Sequence, residues 1–327
     1  MQKLRKVYSS TQRKKIMTST QPAVISIIIP AYNYAHMLER AIASAHNQLD
    51  KNCELMIIND GSTDNTKDLL ASLTLKYSNI ITINKLNGGL ASTRNEGIRI
   101  AKGDYLIFLD ADDELHTDAI HHIRTHLEQS PESRFVIGGH WSILPNGKKK
   151  LHLPNPLPDS AYDKLKSYLI DKTISLSNGA CVMHKSIFTN YFYPEHFRNS
   201  EDLSMFAYTL VNFNCSTLHL PLANIYKHDD SLRHNVEYAE SVGLQLVDEV
   251  FSIKRIPQAL QPLKKAFLVQ RLLSLSRVSH ESNRHLQSNV LFSQAFKLDK
   301  SIIFKWSYFK KFIISFCKYH QDKIASR

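Results

Sequence analysis

Three carboxylates occupy four consecutive positions, Asp110-Ala111-Asp112-Asp113, directly after an apolar run. Like charges this close repel unless something neutralises them. A divalent cation, Mg²⁺ or Mn²⁺, held by oxygen ligands and by substrate phosphates, does so. Helix capping accounts for one such aspartate, not three, so the cluster favours metal. Asp60 follows the apolar run Leu55–Ile58. A carboxylate there accepts a hydrogen bond from a base edge or a ribose; an Asx-turn introducing Gly61 is, for Asp60 alone, the stronger reading. Arg94, one turn into its helix, suits a phosphate and a surface carboxylate equally. Glu201-Asp202 stands where a helix begins, as a dipole partner or as a general base for a hydroxyl. His228 is a candidate metal or phosphate ligand, although one histidine among 16 says little by itself.

These residues need a scaffold, and the hydrophobic pattern supplies one. Apolar runs predict strands at Val24–Ile29, Glu54–Asn59, Ile80–Asn84 and Tyr105–Leu109. Helices are expected between them at Ala35–Gln48, from Asp64 as cap to Tyr77, and at Leu90–Ala101 before Gly103. Alternation at this spacing implies a mostly parallel sheet with right-handed crossovers, whose ligands bind at the carboxyl ends of the strands. Pro30-Ala31-Tyr32-Asn33, Asn59-Asp60-Gly61-Ser62, Asn87-Gly88-Gly89 and the aspartate cluster all fall there. Further on, the pattern predicts a helix at Asp118–Gln129, a strand at Arg134–His140 and a loop at Leu151–Pro158. Helices at Asp159–Ile170 and Glu201–Asn212 and a strand at Ser216–Leu220 follow, and the chain reads helical and basic from about Tyr238.

The chain has 327 residues, enough for one large domain and a smaller one. The expected division is a flexible basic arm at 1–20, a catalytic domain at 21–237 and a helical basic extension at 238–327. The catalytic domain divides into a nucleotide-binding half at 21–115 and an acceptor-binding half at 116–237. No apolar run reaches the ~20 residues needed to span a bilayer, and no apolar stretch of a secretory signal follows the basic start. Four scattered cysteines form no C-x-x-C pair and suit a reducing compartment. The expected location is therefore cytoplasmic, or peripheral on the inner face of the plasma membrane.

Net charge is +11, unevenly placed. Residues 1–20 hold six basic groups and no acids, residues 251–327 hold fifteen basic and three acidic groups, and the middle is net −7. Such asymmetry suits an anionic membrane surface or phosphorylated glycan as partner, against a plain solvated surface. On a helical projection Ile302, Trp306, Phe309, Ile313 and Phe316 share one side, opposite Lys310, Lys311 and Lys318. That side either lies on a bilayer or packs onto the catalytic domain.

Together these residues resemble the inverting family-2 nucleotide-sugar glycosyltransferases of the GT-A fold. The matching motifs are V-I-S-I-I-I-P-A-Y-N (Val24 to Asn33), I-N-D-G-S-T-D (Ile58 to Asp64), N-G-G-L-A-S-T-R-N-E-G (Asn87 to Gly97), F-L-D-A-D-D (Phe108 to Asp113) and S-E-D-L-S-M-F (Ser200 to Phe206). Any one is weak; all five in order are specific. The resemblance implies that Pro30, Tyr32 and Asn33 line the nucleotide pocket, that Asp60 binds the base and that Arg94 contacts the nucleotide. It further implies Asp110 near the ribose, Asp112 and the late histidine His228 at a Mn²⁺ or Mg²⁺ ion on the diphosphate, and Asp202 as catalytic base. The implied reaction is one in-line displacement from a nucleoside-diphosphate sugar, UDP by resemblance, onto a hydroxyl of a glycan acceptor, free or lipid-linked. Bacterial lipopolysaccharide, capsule or other surface polysaccharide is the expected setting.

Two features depart from the pattern. Ser200 stands where many relatives have Gly, and the Gln-x-x-Arg-Trp motif of processive synthases is missing. A catalytically inactive nucleotide-sugar-binding protein is the alternative, against which Asp112 and Asp202 count. A nucleic-acid partner is excluded by the acidic centre and the lack of a recognisable module. A sugar nucleotidyltransferase would need a glycine-rich, basic loop where Pro30-Ala31-Tyr32-Asn33 stands.

Overall fold

The computed structural model describes residues 24–228, 237 and 241–325. The basic arm expected at 1–20 lies outside them. The first half alternates strand and helix: β1 (Ile25–Ala31), α1 (Ala35–His46), β2 (Cys53–Asn59), α2 (Thr66–Lys76), β3 (Ile80–Asn84), α3 (Leu90–Ile100) and β4 (Tyr105–Phe108). Next come β5 (Glu114–Leu115), α4 (Ala119–Gln129), β6 (Phe135–Ile143), β7 (Lys149–His152), α5 (Ala161–Leu169), β8 (Cys181–His184), α6 (Glu201–Asn212) and β9 (Cys215–Tyr226).

Among the described residues the strands form one sheet in the order β3-β2-β1-β4-β8-β6-β9-β5, with β7 on β6. β3, β2, β1 and β4 run parallel, as the alternation requires. β8 then enters antiparallel between β4 and β6, and β9 runs parallel to β6. The expected fold class, α/β with a nucleotide-type parallel half, is what the chain adopts. The proline-rich stretch 151–158 is not all loop, because β7 extends into it and pairs His152 with His140. The strand expected at Ser216–Leu220 runs six residues further, to Tyr226.

Alternation along β1 sets the two layers. Ile25, Ile27 and Ile29 pack with α1, α2 and α4, while Ile28 packs on the other face with α3 and α6. Ser26, wholly buried between them, donates to Glu54 Oε1 at 2.5 Å and accepts from the Gly103 amide. The strand order reverses at β1, since β2 and β3 lie to one side and β4 to the other. Pairing of β1 with β4 stops at Ile28 and Phe108. Pro30, which has no amide to offer, stands beyond that point. The two strands part there and open a cleft at their carboxyl ends.

Beyond 240 the described chain is helical: α7 (Gln245–Val250), α8 (Leu263–Glu281), α9 (His285–Leu298) and α10 (Trp306–Ala325). α7 packs with α5 and α6. α8, α9 and the residues leading into α10 bury a separate cluster around Leu272, Leu273, Phe292 and Ile302. The aromatic side projected for the tail is divided. Phe309 and Phe312 pack on Phe292, and Trp306, Ile313 and Phe316 stay exposed. The packed part lies against α8 and α9. No described helix is long and apolar enough to cross a membrane.

Candidate functional site

The parting of β1 and β4 forms a cleft of about 600 Å³. Its walls carry Pro30, Tyr32, Asp60, Asp110 and Asp112 from the strand ends, Arg94 from α3 and Asp202 from α6. Asn33, expected here, does not line it. Its side-chain oxygen accepts from the Thr63 and Asp64 amides, and its own amide donates to Ser62 Oγ. Asn33 at φ 57° thus clasps the two strand-end loops that frame the cleft.

Asp60, 3% exposed, is a ligand for its own protein. Lys85 Nζ donates to Oδ1 at 2.6 Å, the Gly88 amide to Oδ1 at 2.9 Å and the Gly89 amide to Oδ2 at 2.7 Å. With two acceptor sites per oxygen, Oδ2 keeps one free. Gly89, at φ 88°, lies so close to Arg198 that an added Cβ would come within 2.5 Å of Nη1. Arg198 is exposed, lines the cleft and has no ion-pair partner among the described residues.

Arg94 is 2% exposed, and its guanidinium joins the two sides of the cleft. Nη1 meets Glu201 Oε1 at 2.6 Å and Nη2 meets Asp110 Oδ1 at 3.1 Å. Glu201 is itself 5% exposed, so this is a buried, two-carboxylate neutralisation and not a free phosphate-seeking cation.

The three crowded aspartates have three different surroundings. Asp110 faces Arg94. Asp113 is buried, and its Oδ1 accepts the Tyr226 amide at 2.9 Å. Burial, then the nearby charges of Asp110 and Asp112, holds the Asp113 carboxyl well above the usual range. Asp112 Oδ2 lies 2.6 Å from His228 Nε2. Two connections fix this pair: Arg40 of α1 donates to the Asp112 carbonyl, and the Lys227 amide donates to Ile143 O just past β9. Among the described residues no group of three or more His, Cys, Asp or Glu is arranged to hold a metal. His228 does not itself line the cleft, but with Asp112, which does, it makes an oxygen and nitrogen pair, and His228 Nδ1 is buried without a hydrogen-bond partner. Such a pair fits a cation that takes its other ligands from phosphate and water, as Mg²⁺ commonly does.

Asp202 sits on the first turn of α6, which follows Ser200 at φ 63°. Burial, and next the charge of Glu201, raises its carboxyl from 3.8 to about 7. A carboxylate titrating near neutrality can take a proton and still be ionised at working pH. Sequence spacing had no means to single out Lys85 or Arg198 as neighbours of the site, or to pair Arg94 with Glu201. Their partners lie up to 107 residues away, as for Arg94 and Glu201.

The family profile described as Glycosyl transferase family 2 matches residues 26–192. Chondroitin synthase of Pasteurella multocida (strain Pm70) is 43% identical over 97 residues, 30% of this chain and 10% of that protein. The chain thus matches only a small part of that relative's length. The structure of S. aureus TarS 1–349 in complex with UDP-GlcNAc aligns with a TM-score of 0.56 at 16% identity, over 91% of this chain and 92% of that one. The mannosyltransferase PcManGT from Pyrobaculum calidifontis, in complex with GDP-Man and Mn²⁺, gives 0.51 at 14% identity, over 86% and 76%. At these identities the structural likeness establishes the fold.

Proposed function

The chain belongs to glycosyl transferase family 2, and on that premise we propose that it moves a sugar from a UDP-sugar to a hydroxyl of a glycan acceptor with inversion. One observation supports this reading above the others: Asp202, raised to about 7, lines one cleft with Asp112, whose Oδ2 lies 2.6 Å from His228 Nε2. An acceptor hydroxyl is a poor nucleophile at neutral pH. Asp202 accepts its proton as the hydroxyl oxygen bonds to the anomeric carbon, and the bond to the diphosphate breaks with its electron pair leaving on oxygen. Asp60 presents its remaining acceptor site to the base, and Asp110 faces the ribose beside Pro30 and Tyr32. Arg94 holds Asp110 and Glu201 in place instead of meeting phosphate directly. Asp112 and His228 would hold Mn²⁺ or Mg²⁺, which when bound neutralises charge on the leaving diphosphate.

The setting we propose is bacterial surface polysaccharide, lipopolysaccharide or capsule, and the likeness to a polysaccharide synthase supports it. Peripheral docking on the inner membrane face is part of the reading. Exposed Phe304, Trp306, Ile313 and Phe316 stand among Lys305, Lys310, Lys311 and Lys318 and support it. The proposed extension at 238–327 is supported in its later part by the separate apolar cluster of α8–α10, while α7 packs with α5 and α6 of the catalytic domain. A screen of nucleotide-sugars for hydrolysis and thermal stabilisation, with Mn²⁺, with Mg²⁺ and with chelator, tests the donor and metal assignments. UDP and its sugars should stabilise most, and more with metal than with chelator. Asp112→Ala should abolish the difference. Equal stabilisation in all conditions would remove the metal from the reading.

A further inference from the structure

A second pocket of about 330 Å³ shares a wall segment with the cleft. β6 contributes Ile137 and His140, β7 contributes Leu151 and His152, and the segment after α5 contributes Lys172 and Ile174. Ile174 and Ser175 line this pocket while Leu176, Ser177 and Asn178 line the cleft, so one short segment borders both. Asn155 Nδ2 donates to Thr173 O at 2.8 Å and ties the far wall to that segment.

The charge here is one-sided. From 135 to 158 the chain has three lysines and two histidines and no acid. His140 and His152 face each other across the β6–β7 ladder, ring centroids 4.9 Å apart and nearly parallel. Burial, then His152 and Lys227, lowers His140 to about 4. Burial, then Lys150 and Lys227, lowers His152. Every charged group acting on either ring is basic. Elsewhere the buried positive charge of Arg94 meets two carboxylates. Lys172, on the pocket wall, has no ion pair among the described residues. Exposed Leu151 and Leu153 add an apolar surface beside these donors. Cationic donors next to a small apolar face suit a sugar that bears an anion.

We propose that this pocket is an acceptor subsite that binds an anionic group, a phosphodiester or a uronate carboxylate, on a glycan chain whose reacting end enters the cleft. The proposal rests on the transferase reading for its direction, but its chemistry is a binding event. The anion meets Lys172 and the two imidazoles, which become protonated as it binds. Lys150 and Lys227 add to the field, and the sugar rings lie along Leu151 and Leu153.

The test is binding in saturating UDP, so that the nucleotide site is filled. The probes are an oligogalacturonate, a glycerol-phosphate oligomer and a neutral malto-oligosaccharide of equal length, measured by calorimetry. At least one anionic oligomer should bind about tenfold or more tightly than the neutral one, as a charge-assisted contact requires. Which of the two binds identifies the anion. Lys172→Gln, at an exposed position, and His152→Gln should each weaken that binding several-fold while UDP stabilisation stays unchanged. Proton resonances of His140 and His152, assigned by their loss in the Gln variants, should titrate at higher pH when the oligomer is bound. Neutral and anionic oligomers binding alike would overturn the proposal, as would both variants binding like the parent. Failure of sugar transfer with anion binding intact would instead count against the transferase reading.

Discussion

Asp202→Asn separates the catalytic base from a mere helix cap. Asn preserves the size of the side chain and caps a helix about as well as Asp, so α6 should stay in place. Asn cannot accept the acceptor proton, and transfer should fall by roughly 10²–10⁴-fold. The parent's pH profile carries the same information. With the carboxyl raised to about 7, about half of Asp202 is ionised at pH 7 and about a tenth at pH 6. Transfer should therefore fall about fivefold from pH 7 to pH 6 and about tenfold for each further unit. Stability has the opposite sign. Protonated Asp202 is favoured in the folded chain, so its contribution is fully present below the unfolded value of 3.8 and is lost as pH rises to about 7. Removing that ionisation should let Asp202→Asn melt higher than the parent at pH 8, while the two converge at pH 4. The assay is coupled UDP release across pH 5–8 alongside thermal melts. Near-parent turnover by the variant would refute the assignment.

Arg94→Ala should cost about 3–5 kcal/mol in urea unfolding, because it leaves the buried Glu201 carboxylate unpaired. The Arg94→Ala/Glu201→Ala double variant should lose less than Arg94→Ala alone, and an equal or larger loss would deny the coupling. Liposome flotation tests the membrane surface: binding should need anionic lipid, weaken with salt, and fall on Trp306→Ser/Phe316→Ser. Flotation unaffected by lipid charge would remove that role.

The sequence made the strand-end loops visible because continuous apolar runs stop at Pro, Gly and Asp. Helices from Leu90 and Glu201 began where expected for the same local reason. Short strands escaped. β5 has two residues, and β7 and β8 have four each without the wholly apolar run that marks the equally short β4. Site residues were legible by type and position, not by partner. Nothing near Arg94 announces that Glu201 will neutralise it, and nothing near Asp60 announces that two glycine amides will take its oxygens. Asn33 sits beside the cleft's first strand yet belongs to the loop clasp. The paired imidazoles of His140 and His152 depend on a β6–β7 register that the prolines of 151–158 concealed.

The Arg94–Glu201 contact also orders the way the molecule can be built. During synthesis Arg94 and Asp110 leave the ribosome before Glu201 does. Until α6 arrives, a wholly buried guanidinium has one partly exposed carboxylate to answer it, and water must stay to solvate the rest. Contacts this far apart in sequence close late, because chain entropy must be overcome first. The nucleotide half can thus take shape early, but its floor dries only when the helix bearing Asp202 docks. A fragment that ends before residue 201 would keep a hydrated, loosened donor pocket. Under the proposed function, the folding step that completes the donor pocket is the one that brings in Asp202.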